Sequence, residues 1–462
     1  MALLAQTAAP PATATPAVDD VLSPYMVVFF TAFAITFLVT PLMRWLALRN
    51  GIVDWPDLKR KTHIEPVPYL GGVAIFLGWL AGMFLCVFIV PGATFNGQAL
   101  YHVSVPISIV LGAGLVMLVG LVDDVYGVSP RVKVGGQLLA AAALASNPMG
   151  QSLAYQSLTL VGIAQPAPLL CYVLGAAVIA IFVLGGCNSV NLLDGLDGLA
   201  SGVVAIATVG FLFIAIYIMV YFTDPASGGR ADQSVAIVRI VLCLATLGAV
   251  LGFLPYNFNP ASIFMGDAGS LLLGYLSVTT MLLFAHVTNK GPFFVMAALI
   301  VFAVPITDTA LALVRRKMRG QHLFSPDKQH IHHQLLAVMR SFGLSQNMAV
   351  KAAVALIYLL AILFALLGSA VIFLRWRYVM AVFMFIFGFV IVSAYKAGHR
   401  QLVLMQMDPA GAPATPAEAQ GAATDDSSVG QTAPADRAPS SAPPPPAPPL
   451  HADTHLGAGG SV

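Results

Sequence analysis

The chain has 462 residues, of which 58% are hydrophobic and 9% charged, and a net charge of +2; soluble domains run nearer roughly 45–50% and 25%. That balance excludes a nucleic-acid binder, which needs a basic face, and describes a chain made for a lipid bilayer. Cys86, Cys171, Cys187 and Cys243 lie in or beside apolar runs without CxxC spacing, so they read as small core residues and not as zinc or redox ligands.

In chain order, residues 1–20 are rich in Ala, Thr and Pro and carry neither a basic n-region nor a continuous apolar stretch. They are expected to be a disordered lead, not a cleavable signal. Eleven apolar segments follow, at 25–44, 70–90, 105–122, 131–147, 168–186, 199–222, 236–254, 271–288, 292–314, 349–372 and 378–396. A bilayer crossing takes about 20 such residues, so residues 21–400 are expected to form one all-α, polytopic domain of about 11 transmembrane helices. The fourth segment is the least apolar, because Arg131, Lys133, Gln137 and a Gly pair occupy its first two turns. Residues 401–462 hold eleven prolines among Ala, Gly and Ser, and are expected to be a disordered cytoplasmic tail.

Eleven crossings with the N-terminus outside leave only Arg230, Arg239, Lys290, Arg375 and Arg377 on the outer side, with the other seventeen basic residues and the C-terminus in the cytoplasm. The same topology gathers the dense polar segments 54–69, 123–130, 187–198, 255–270 and 315–345 on the cytoplasmic face. One site facing the cytoplasm is the expectation.

Within these segments, Lys61 and His63 precede a Pro turn and Gly71-Gly72; they read either as a positive-inside cluster or as cations beside a pyrophosphate. Asp123-Asp124 closes an apolar span, where two carboxylates imply a cation, a proton or a basic partner. Asn188, Asn191, Asp194 and Asp197 recur every three residues, which on a helical turn keeps them near one face. They offer hard oxygen ligands and amide donors. Asn257 and Phe264 lie just before Gly266-Asp267, whose carboxylate is either a helix cap or a metal ligand, with Phe264 as a candidate to stack on a nucleobase. Last come Asp327-Lys-Gln-His330-Ile-His332-His333. Without a second soft-ligand cluster, the Asp and Asn residues elsewhere favour Mg²⁺, and the histidines are left as donors to phosphate.

KxHxxPxPxxGG, the Asp-Asp pair, NxxNxxDGxDG, FMGDxGS and DxxHIHH, in this order, resemble the polyprenyl-phosphate N-acetylhexosamine-1-phosphate transferases over residues 25–396. The Asp327-to-His333 string is most similar to the undecaprenyl-phosphate N-acetylglucosaminyl-1-phosphate transferases. The muramoyl-pentapeptide branch has three consecutive histidines there, and a Gly-Thr-Pro-Thr-Met-Gly-Gly loop in place of Pro66-Val-Pro-Tyr-Leu-Gly-Gly72.

The resemblance implies transfer of N-acetylglucosamine 1-phosphate from a UDP-sugar to undecaprenyl phosphate in the bacterial inner membrane, to initiate a cell-surface polysaccharide such as O-antigen. It implies Mg²⁺, with Mn²⁺ as a substitute, held by Asp267 and Asn191 with Asp124 nearby. Asp123 would act on the lipid phosphate, and Asp194 and His330 would be catalytic. Uracil would stack on Phe264 and touch Asp197 and Asn257, while Lys61, His63, Asn188, His332 and His333 would bind substrate. A homodimer is compatible with it. The rival reading is a secondary transporter, for which ionisable residues nearer the bilayer midplane would be expected.

Overall fold

The computed structural model describes residues 18–55, 66–89, 94–95, 98–99, 105–222, 230–318, 320 and 330–407. Lys61 and His63 fall outside them, as do residues 1–17 and 408–462. The described residues up to Val403 form one compact unit.

The unit is almost entirely helical. A short turn of helix, α1 (Val18–Leu22), leads into α2 (Met26–Arg49); β1 (Val53–Asp54) and β2 (Val67–Pro68) pair antiparallel, and α3 (Gly71–Ile89) follows. After a second two-residue ladder, β3 (Thr94–Phe95) with β4 (Gln98–Ala99), come α4 (Ile107–Tyr126), α5 (Pro130–Ala145), α6 (Met149–Leu160), α7 (Pro168–Leu193) and α8 (Leu199–Phe222). The rest is α9 (Arg230–Asn257), α10 (Gly266–Leu283), α11 (Gly291–Val301), α12 (Ala303–Met318), α13 (Ile331–Ser341), α14 (Gln346–Val371) and α15 (Trp376–Met407).

Among the described residues, eight helices are long and apolar enough to cross a membrane, and α11 with α12 makes a ninth if the bent pair is one span. The chain is therefore an all-α, multi-pass membrane protein. Two of the eleven expected spans, 70–90 and 131–147, are helices that fall outside this count. α3 has 19 residues and α5 has 16, rises of about 28 and about 24 Å against a hydrocarbon core of about 30 Å. The segment expected as one span over 292–314 is instead broken at Phe302 and bent by 77°. Pro305 explains the break, since it offers no N–H to the carbonyl of Val301 and crowds the preceding turn. α6 was not foreseen; Ser152 Oγ and Gln156 Nε2 both donate to the Ala285 carbonyl, at 3.1 and 2.9 Å.

α10 is the axis of the bundle: its whole apolar window is buried, against 22% for α2 and 11% for the last span. Its first turn is gripped on two sides. A Cβ on Gly72 of α3 would overlap the Gly269 nitrogen, and one on Gly120 of α4 would come within 2.5 Å of Ala268. Close approach of three helices is possible because those positions have no side chain. A second, smaller apolar cluster joins Leu193, Leu196 and Leu199 to Leu336 of α13 and Val350, Ala353 and Ile357 of α14. It seats α13 against the loop between α7 and α8.

Candidate active site

The polar residues singled out in the sequence sit largely at helix ends that converge around the start of α10. Asp124, at the end of α4, accepts hydrogen bonds from the backbone N–H groups of Asp267 and Ala268, at 2.8 and 3.0 Å. It thus caps α10 from a different helix, supplying the acceptor that the first turn lacks. Gly266, at φ +68°, makes room for that carboxylate. On the other side, backbone bonds from Phe264 N–H to Pro68 O, Gly71 N–H to Phe264 O and Gly72 N–H to Met265 O, at 2.9, 3.0 and 2.9 Å, zip the Pro-Gly-Gly turn onto the residues before α10.

So fixed, Asp267 faces Asn191 and Lys133. Asn191 Nδ2 donates to Asp267 Oδ1 at 2.8 Å and to Ser270 Oγ at 2.9 Å. Lys133, from α5, bridges Asp267 Oδ2 and Asp123 Oδ2, and Asp123 also accepts the Val128 N–H at 2.8 Å. Gln137, one turn beyond Lys133, accepts from Asn188 Nδ2 at 2.8 Å. The polar residues that weakened the fourth apolar segment are therefore the wall of a site. Sequence reasoning took Lys133 only as a topological charge; its signal was the pair Lys133 and Gln137, four apart on an otherwise apolar helix.

The Asn/Asp string does not keep one face throughout. α7 ends at Leu193, and Gly195 and Gly198, the latter at φ +75°, turn the chain. Asn188 then looks to α5, Asn191 to α10, and Asp197 to the loop after α9, where it accepts from Asn259 Nδ2 and Ala261 N–H at 2.9 and 3.0 Å. Asp194 caps the C-terminus of α7, and its carboxyl is pushed up to about 8, first by burial and then by the carboxylates of Asp267, Asp124 and Asp197. A carboxyl poised near neutrality suits proton exchange. Asn257 is buried with its amide engaged, accepting from Ser201 Oγ at 2.8 Å and donating to Ile263 O at 3.2 Å. Phe264 is half-buried with Tyr69 beside it, ring centroids 6.2 Å apart.

The histidines form a second cluster. His330 Nδ1 lies 3.0 Å from Asp308 Oδ2, and the other oxygen of Asp308 accepts the Ile331 N–H at 2.9 Å. His332 is buried, with both ring nitrogens lacking a hydrogen-bond partner, and its ring presses on Gly195. Burial, followed by the neighbouring His333, pushes its pKa down to about 3. His333 is exposed, with its ring centroid 4.2 Å from that of His332. Asp308 was missed because it lies inside an apolar segment.

A cation suits the first cluster. The Lys133 ammonium already sits between two carboxylates, so the pocket takes positive charge, and a carboxamide such as Asn191 can turn its oxygen toward the same point. The donors are oxygens. Oxygen donors suit Mg²⁺, which takes few protein ligands and shares substrate phosphates, although no three His, Cys, Asp or Glu side chains gather into a metal-holding group among the described residues.

Residues 106–285 match the family described as Glycosyl transferase family 4. The chain is 32% identical over 348 residues, 75% of its length and 85% of the relative's, to a Bacillus subtilis protein named probable undecaprenyl-phosphate N-acetylglucosaminyl 1-phosphate transferase. The chain belongs to the polyprenyl-phosphate N-acetylhexosamine-1-phosphate transferases. It is also 34% identical over 329 residues, 67% of its length and 75% of the relative's, to the decaprenyl-phosphate N-acetylglucosaminephosphotransferase of Mycobacterium tuberculosis. The phospho-N-acetylmuramoyl-pentapeptide-transferase of Bacillus thuringiensis is 29% identical over 320 residues, 67% of this chain and 87% of that one. Of the motifs that carried the resemblance, the described parts, Pro66 to Gly72, Asp123-Asp124, Asn188 to Gly198, Phe264 to Ser270 and His330 to His333, lie at adjoining helix ends.

Proposed function

We propose that this transferase moves N-acetylglucosamine 1-phosphate from UDP-N-acetylglucosamine to undecaprenyl phosphate on the cytoplasmic face of the bacterial inner membrane, at the start of a cell-surface polysaccharide such as O-antigen. The observation that carries the reading is the Asp123–Lys133–Asp267 bridge beside Asn191, at helix ends on one side of the bundle. The positive-inside distribution supports the cytoplasmic side. The HIHH form of residues 330–333 and the similarity to the two N-acetylglucosamine-named relatives support this donor over the muramoyl-pentapeptide.

In the reaction an oxygen of the lipid phosphate attacks the sugar-bound phosphorus, the bond between the two donor phosphates breaks, and UMP leaves with the bridging oxygen. Two anions must be brought together, so alignment and neutralisation carry most of the barrier reduction. Asp267 and Asn191, with Asp124 behind them, would hold Mg²⁺, or Mn²⁺ in its place, and the ion would screen phosphate charge. Lys133, which bridges Asp123 and Asp267, would neutralise a phosphate brought beside them, leaving Asp123 to position the lipid phosphate, which is already largely dianionic with a second pKa of about 6. Asp197 holds the loop that presents Phe264, so its part in uracil binding is to shape the platform. The histidine cluster lies against Gly195 through His332, and there it would touch the pyrophosphate or sugar of the donor.

The test is UMP release by purified protein in detergent, given undecaprenyl phosphate, Mg²⁺ and a panel of UDP-N-acetylhexosamines, with EDTA and Asp267→Ala as controls. Lipid-dependent release from UDP-N-acetylglucosamine, lost in both controls, is expected. Release only from the muramoyl-pentapeptide donor would overturn the sugar assignment, and release from none would overturn the reaction.

A further inference from the structure

Asp308 is a buried carboxylate on an otherwise apolar stretch of α12, 22 residues before the histidine motif and outside every motif by which the family was recognised. Its two oxygens are divided. Oδ1 accepts the Ile331 N–H and caps α13, which a mere structural role would require; Oδ2 takes the ring of His330. A carboxylate can only accept, so the proton of a neutral His330 is drawn to Nδ1, and Nε2 is left as the atom that the ring can offer. The ring is held on its other side as well, stacked on His332 at 5.6 Å and 8°, and His332 in turn lies on Gly195 between Asp194 and Asp197.

We infer that Asp308 is a positioning residue for the transfer reaction, fixing the tautomer and orientation in which His330 meets the donor. The inference rests on the proposed reaction for its kinetic part and on geometry alone for the rest. Asp308→Asn separates capping from orientation, because its amide oxygen can still accept from Ile331 while its amide nitrogen now faces Nδ1 and requires the opposite tautomer. Asp-to-Asn exchange behind a catalytic histidine has large effects of this origin.

The experiment compares wild type, Asp308→Asn, His330→Gln and the double variant in the full chain in detergent. Expected are a fall in kcat of about 10²-fold or more for Asp308→Asn with the KM for the UDP-sugar within about threefold, a similar fall for His330→Gln, and a double variant no slower than the single ones. In protein labelled with ¹⁵N-histidine, the resonance that His330→Gln removes should shift from the Nδ1-protonated to the Nε2-protonated pattern in Asp308→Asn. A folded Asp308→Asn with near-normal kcat, losses that multiply in the double variant, or an unshifted resonance would each overturn the inference. If Asp308→Asn is unstable, the His330→Gln background decides: instability that persists there assigns Asp308 to capping alone and overturns it, whereas stability regained there upholds it. Should wild type transfer no sugar phosphate, the proposed reaction fails while the ¹⁵N readout still tests the positioning.

Discussion

Lys133→Met tests the electrostatic centre of the site. The ammonium bridges Asp123 and Asp267, and the three side chains are 24%, 15% and 24% exposed. Removing it leaves two facing carboxylates with no counter-charge, while methionine keeps most of the apolar stem. Breaking a buried pair by deleting one partner costs roughly 3–5 kcal/mol; the residual exposure here places the cost near the lower end, about 3 kcal/mol. In EDTA, the variant should therefore unfold at visibly lower temperature or denaturant than wild type in the same detergent. Mg²⁺ should return most of that stability, because the ion neutralises the same oxygens, but should not return turnover. In the Asp123→Asn background the cost of losing Lys133 should shrink, since one of the two repelling charges is gone. Equal stability of wild type and Lys133→Met in EDTA would refute the bridge, and so would a cost unchanged by Asp123→Asn.

Two further outcomes follow from packing and protonation. Gly72→Ala places a methyl against the backbone of Gly269, so it should destabilise the protein by about 3 kcal/mol or prevent its recovery in detergent, whereas alanine at Gly135, which meets nothing within 4 Å, should be tolerated; comparable yields for the two would contradict the close approach. His332 has a folded pKa of about 3 against about 6.5 unfolded, so between those values the unfolded state binds more protons. Its contribution is therefore complete above pH 6.5 and is lost as pH falls below it, at up to about 1.4 kcal/mol per unit. Unfolding midpoints of wild type and His332→Gln, compared between pH 7.5 and 5, should diverge in slope, and parallel curves would count against a buried neutral ring.

Much of this architecture could be read from composition, because a bilayer crossing is a local property of one segment. What could not be read was which partner a polar residue meets. The resemblance put Asp124 near the metal, and no sequence signal showed that its carboxylate also takes amides 143 and 144 residues away. Asn188 and Asn191, three apart on α7, meet α5 and α10, yet the chain turns at Gly195 and Gly198 and sends Asp197 away to the loop after α9. Lys133 and Asp308 were hidden for the opposite reason: each sits in an apolar run, where a charge reads as a span boundary or an anomaly until the helix facing it is known. The histidine string read only as a set of phosphate donors, although His332 and His333 lie in the first turn of α13 and Leu336 anchors that helix.

The cap on α10 has a consequence for how the protein comes to be active. Asp124, Gly72 and Asn191 reach the first turn of α10 from three separate helices. A chain still emerging into the membrane has the first of these in place long before α10 arrives, and so holds a complete half-site with nothing to act on. Turnover then reports finished assembly: a protein nicked between α9 and α10, or one whose later helices insert in the wrong order, should retain its early helices and yet be silent until the first turn of α10 slides into its clamp.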